Sequence, residues 1–153
     1  MKRDMNLTQN DIVELAGMKH RQSWKKSSNV SEQTKAAQSV CRSWQQAVKD
    51  NFKNRFSAEH PVGDGFKEKI DLVDLQDAVA YELKVSKNNT HFEFYRDIFK
   101  VAVHNAHNSR LKIKKLVFIA PTAGADKLRT AYGKAVHILA ENHHSIVVEI
   151  CGI

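Results

Sequence analysis

Leu116-Val117-Phe118-Ile119-Ala120 is a run of apolar residues with no polar interruption. A strand with water on one face alternates apolar and polar side chains, because successive residues point to opposite sides. A strand that does not alternate must be covered on both faces, as at the centre of a sheet between layers of helix. The run is far too short to cross a bilayer. This segment therefore asks for an α/β architecture: a central sheet flanked by helices.

The rest of the chain supplies those layers. Asn29 followed by Glu32 reads as a capping box. Behind it Ala37, Val40, Cys41, Trp44, Ala47, Val48, Phe52 and Phe56 recur at steps of three and four, which predicts a helix to about Ala58. Arg42, Lys49 and Lys53 fall on another side of it. Pro61, Gly63 and Gly65 end the helical pattern. Two strand-like runs follow, Lys69–Leu75 and Ala78–Ser86, turning at Gln76-Asp77, with room for a short extra strand at Val62–Phe66. Thr90 and Glu93 predict a capped helix to about His107 with Tyr95, Ile98, Phe99, Ala102 and Ala106 facing inward. Glu93, Arg96, Asp97, Lys100, His104 and His107 then share its outer side. A third helix is expected over Asp126–Glu141, with Leu128, Ala131, Tyr132, Ala135 and Leu139 inward, and a last strand at Ile146–Ile150.

At 153 residues, 42% of them hydrophobic and 27% charged, the chain fits one globular domain. We read residues 1–30 as a basic arm and 31–153 as that domain. In the arm, Thr8 would cap a short helix through about Met18. Lys19, Arg21, Lys25 and Lys26 follow, and Trp24 would either stack on a base or pack back onto the domain. Lys2 and Arg3 have no apolar stretch behind them, which argues against a secretory signal. Cys41 and Cys151 form no metal-type pair, and a cytoplasmic location is expected. The net charge of +7 favours a polyanionic partner, chiefly nucleic acid; the plainer reading is a solvated basic surface. A phosphate-binding glycine loop and a Gly-X-Ser-X-Gly elbow are both missing from the sequence. His137, His143 and His144 fit no familiar zinc spacing.

The chemistry lies in the hairpin. In its second run Val79, Tyr81, Leu83 and Val85 point one way, and Ala80, Glu82, Lys84 and Ser86 the other. Pairing across Gln76-Asp77 sets Leu75 opposite Ala78, Val73 opposite Ala80 and Asp71 opposite Glu82. Directly opposed side chains share a face with Cβ atoms roughly 5 Å apart. Two carboxylates so close repel each other, and a hard divalent cation turns that cost into a binding site. Asp71 and Glu82, with the Leu83 backbone carbonyl, would hold Mg2+, for which Mn2+ would substitute. Lys84 would orient an attacking water or meet charge on a phosphate. The plainer alternative is a surface ion pair of Glu82 with Lys84 on an exposed sheet face. A slip of one residue would exchange Asp71 for Asp74.

Ile70-Asp71, ten intervening residues, and Glu82-Leu83-Lys84 resemble the PD-(D/E)XK motif of restriction endonuclease-like proteins, with Ile70 where the motif has proline. The resemblance implies an α-β-β-β-α-β core over about residues 31–120, with an added C-terminal helix and strand. It also implies Asp71, Glu82 and Lys84 as catalytic residues of a metal-dependent endonuclease acting on DNA, restriction-like or DNA-processing. The acid that many members carry in the first helix would be Glu32, Glu59 or neither. Arg42, Lys49, Lys53, Lys87, Arg96 and Lys100 would meet the phosphate backbone, and Ser86 and Asn88 could touch phosphate or base edges. A single active site would need a homodimer, or two successive events, to cut a duplex. The rival from another class is a non-catalytic nucleic-acid-binding module on the same fold.

Overall fold

The computed structural model describes residues 8–153. Lys2 and Arg3 of the expected arm lie outside them. Five strands make one mixed sheet: β1 Phe56–Pro61, β2 Lys69–Asp74, β3 Val79–Leu83, β4 Lys115–Ala120 and β5 Val147–Gly152. Their spatial order is their order in the chain. β1, β2 and β3 pair antiparallel, while β3, β4 and β5 run parallel. Among the described residues no helix is long and apolar enough to cross a membrane.

Helices α1 (Gln9–Ser23) and α2 (Val30–Phe52) cover one face. Helices α3 (Thr90–His107), α4 (Thr122–Ala131) and the short α5 (Gly133–His137) cover the other. The apolar run splits between them as an unalternating strand must. Val117 and Ile119 join the core beneath α1 and α2, with Trp44, Leu72 and Tyr81. Leu116, Phe118 and Ala120 join the core beneath α3 and α4, with Phe94, Val101 and Leu128.

The stretch read as an arm carries a longer helix than expected, and that helix belongs to the core. Ile12 and Ala16 are fully buried, the Trp44 indole N–H donates to the Ile12 carbonyl at 3.1 Å, and His20 bonds the Val85 carbonyl at 3.0 Å. Trp24 packs back onto this core.

Helix α2 starts where Asn29 predicts, its side chain accepting from the Ser31 and Glu32 amides. It ends six residues before Ala58, at Phe52. Lys53 takes φ of 24°, a 3-10 turn follows, and Phe56 opens β1. Phe56 continues the helical spacing but belongs to a strand, so the extra strand falls at Phe56–Pro61, before the Val62–Phe66 position expected for it. The second hairpin strand stops at Leu83, short of Ser86.

Two helices present in part a different side from the one expected, although Ile98 and Ala102 of α3 pack against the core as expected. In α3 the buried residues are Thr90, Phe94, Asp97, Lys100, Val101 and His104, whereas Tyr95, Phe99 and Phe92 are exposed. The third helix begins early, at Thr122, and breaks at Tyr132 before a π-helical turn at Ile138–His143. That break resets the phase, so Leu128, Val136 and Ala140 are buried while Leu139 is exposed.

Candidate active site

The pairs Leu72↔Tyr81, Val73↔Ala80 and Asp74↔Val79 give the hairpin the register expected from its turn. Asp74 fixes that turn. Its carboxylate accepts from the Gln76 and Asp77 amides at 3.0 and 3.2 Å and is clamped by Arg55 at 2.7 Å. One step further along the same register, Asp71 stands opposite Glu82. The Asp71 Oδ2 accepts from the Leu83 amide at 2.9 Å, which holds its carboxylate against the end of β3.

On the neighbouring strand, Ala58↔Leu72 and His60↔Ile70 leave Glu59 opposite Asp71. Glu59, Asp71 and Glu82 thus form a row across β1, β2 and β3. Gln45 of α2 ties two of them together, its amide donating to Glu59 Oε1 and to the Asp71 carbonyl, each at 2.9 Å. Glu32 stays outside the site, where it is exposed and accepts from the Ser27 hydroxyl.

Glu82 is only 3% exposed, and its partner is Lys100, not Lys84. Lys100 comes from α3, where the sequence reading put it on the outer side facing phosphates; that placement is corrected. Its Nζ lies 2.6 Å from Glu82 Oε1 and 2.8 Å from Asp97 Oδ1, and donates to the Lys69 carbonyl at 2.8 Å. The contact with Glu82 is close but poorly aligned, so Glu82 Oε1 is a buried oxygen without a hydrogen bond. The plainer reading, an exposed Glu82–Lys84 pair, is thereby excluded.

Burial dominates the electrostatics. It drives the Glu82 carboxyl well above its ordinary range, and the neighbouring charges of Asp71 and Asp97 push the same way. Burial also raises Asp71, against the Leu83 amide and Lys100. Asp97 is pushed up to about 7 by burial, against Lys100. Burial works to lower Lys100, yet Glu82 and Asp97 together hold it above the usual lysine range. Cys41, on the α2 wall, is raised by burial and then by Asp71, Glu82 and Glu59, which leaves an unreactive thiol there.

These groups open into a cleft of about 1110 Å³ between α2 and α3. Asp71, Glu82, Leu83 and Lys84 line it together, with Glu59 and Asp97. Of the residues expected to contact nucleic acid, Arg42, Ser86, Asn88 and Arg96 also line it. Lys87 lines a smaller neighbouring depression of about 500 Å³ instead. Lys49 and Lys53 are exposed and outside the cleft lining. Lys84 is half-buried and has no ion-pair partner among the described residues. Arg96 is bound to Glu93 at 3.2 Å.

Asp97 is a site residue that the sequence pattern did not single out, and Lys100, expected against phosphate, is instead the partner of Glu82 and Asp97. The signal for them was a second phase of α3, in which Phe94 and Val101 share a side with Asp97 and His104.

With all three ionised, the buried carboxylates Glu82 and Asp97 and the half-buried Asp71 surround the single ammonium of Lys100, a deficit that a divalent cation can meet. Among the described residues no three His, Cys, Asp or Glu side chains are already drawn together around one point. The donors on offer are two carboxylates from adjacent strands and the Leu83 backbone. That set suits Mg2+, which keeps several waters and takes one or two carboxylates. No family model matches the chain, and no curated protein or solved structure matches it significantly.

Proposed function

We propose that this chain is a magnesium-dependent endonuclease acting on DNA, built on a restriction endonuclease-like core. The observation that carries the reading is Asp71 opposite Glu82, both opening into one cleft whose walls bear unpaired Lys84 and the cations Arg42 and Arg96. The order α2-β1-β2-β3-α3-β4 supports it, since that superfamily's core runs α-β-β-β-α-β. The helices α4 and α5 and the strand β5 are then the C-terminal addition.

In this reading Asp71, Glu82 and the Leu83 carbonyl hold Mg2+, or Mn2+ in its place. The ion, when bound, polarises the scissile phosphate and acidifies a water. Lys84 orients the attacking water and offsets charge developing on the phosphate. Arg42 and Arg96 draw the backbone into the cleft, with Ser86 and Asn88 at its polar mouth and Lys87 just outside it. Glu59 is the additional acid, reaching the site from β1 rather than from the first helix. One cleft per chain cuts one strand at a time, so duplex cleavage takes a homodimer or two events.

One observation favours a non-catalytic nucleic-acid-binding module instead. Lys100 already sits on Glu82, so part of the charge is met without a metal. Plasmid incubated with Mg2+ separates the two readings. Nicking or linearisation by the unmodified protein, abolished by Asp71→Ala and by Lys84→Ala, is the nuclease outcome. DNA binding that weakens with salt, without cleavage in Mg2+ or Mn2+, overturns it in favour of the module.

A further inference from the structure

We infer that the Lys100 ammonium fills the place of a second cation, so that the centre takes one divalent ion per chain. The inference rests on the metal-centre reading above and settles its ion count. Lys100 Nζ is ringed by oxygens from three different elements: Glu82 Oε1 of β3 at 2.6 Å, Asp97 Oδ1 of α3 at 2.8 Å and the Lys69 carbonyl of β2 at 2.8 Å. At 3% exposure Lys100 is enclosed by these oxygens rather than by water: it donates to the Lys69 carbonyl and pairs by charge with Glu82 and Asp97.

The carboxylates divide accordingly. Asp97 is committed to the lysine. Asp71 is held by the Leu83 amide through one oxygen and keeps the other. Glu82 faces both, because it stands opposite Asp71 and touches Lys100. Lys100 brings one positive charge to the carboxylates it touches, Glu82 and Asp97, so a cation already stands on that side of Glu82. Removing the Lys100 side chain would free Asp97 and one side of Glu82, opening a cavity lined by oxygen where a second ion belongs.

The test is to count Mn2+ ions on the full chain by isothermal titration and by the loss of the free-ion paramagnetic signal. The unmodified protein should bind one ion, Lys84→Ala one, Lys100→Arg one and Lys100→Ala two. Two ions on the unmodified protein, or a single ion on folded Lys100→Ala, overturns the inference. If Lys100→Ala is unfolded alone, it should recover its helical circular dichroism as Mn2+ is added, and failure to do so at saturating Mn2+ overturns it too. The absence of any Mn2+ binding by the unmodified protein would instead remove the metal-centre reading itself.

Discussion

Asp97 should make the protein less stable as the pH rises, the reverse of an ordinary surface carboxylate. In the fold its pKa is raised from 3.8 to about 7, with burial as the main cause. A raised carboxyl binds its proton more tightly when folded, so its contribution is complete below pH 3.8 and is lost as the pH climbs towards 7. Each tenfold gain in proton affinity is worth roughly 1.4 kcal/mol, so a rise of this size gives on the order of 4 kcal/mol. Asp97 is only 4% exposed, so solvent does little to reduce that figure. Half-buried His60 and buried His104, whose pKa values are lowered, act in the opposite sense and cost stability as the pH falls below 6.5. Asp97→Asn separates the two trends, because asparagine keeps the oxygen that accepts from Lys100 and loses the titration. Urea unfolding of both proteins from pH 4 to 8, at fixed ionic strength and without divalent ions, is the measurement. The difference between them should shift towards the variant by about 4 kcal/mol over that range. A flat difference, or one moving towards the unmodified protein, refutes the argument that desolvation outweighs Lys100 at this position.

Three further substitutions probe the scaffold. Trp44→Phe removes the indole N–H bond to Ile12 and some buried volume, and should cost about 1–3 kcal/mol in thermal or urea unfolding while speeding proteolysis between α1 and α2. Asp74→Ala leaves Arg55 with only the exposed Asp77 and two turn amides without their acceptor; it should cost about 1–3 kcal/mol by urea unfolding. Ala78→Gly should stabilise by up to about 1 kcal/mol, raising Tm by a few degrees in scanning calorimetry, because Ala78 is held at φ of 57° where only glycine is unstrained.

The hairpin was legible because strand geometry leaves little freedom: given a turn at Gln76-Asp77, opposed residues follow by counting, and Asp71 meets Glu82. The central strand was legible for a similar reason, since its lack of alternation permits few placements. α3 was misread because its burial runs against hydrophobicity. Asp97, Lys100 and His104 are buried polar groups beside Phe94 and Val101, while Phe92, Tyr95 and Phe99 are exposed aromatics, so hydrophobicity alone does not mark the buried side. Sequence rules fail where local preference is given up for a site. The end of α2 was hidden differently: Phe52 and Phe56 keep helical spacing across the positive-φ residue Lys53 and a 3-10 turn, and only backbone geometry reveals the break. The packing of α1 rests on Ile12 and Ala16 meeting α2, a tertiary contact that periodicity does not announce.

The ladder order of the sheet bears on how the molecule assembles. Each strand pairs only with its predecessor and its successor along the polypeptide, so no pairing must wait for a distant segment to return and insert between two others. Loop-closure entropy is then spent in small instalments. The β1–β2–β3 meander can form from near neighbours, and α3 and α4 can bring β4 and β5 alongside one after the other. The acidic row lies in the meander, on the part of the sheet that this route completes first.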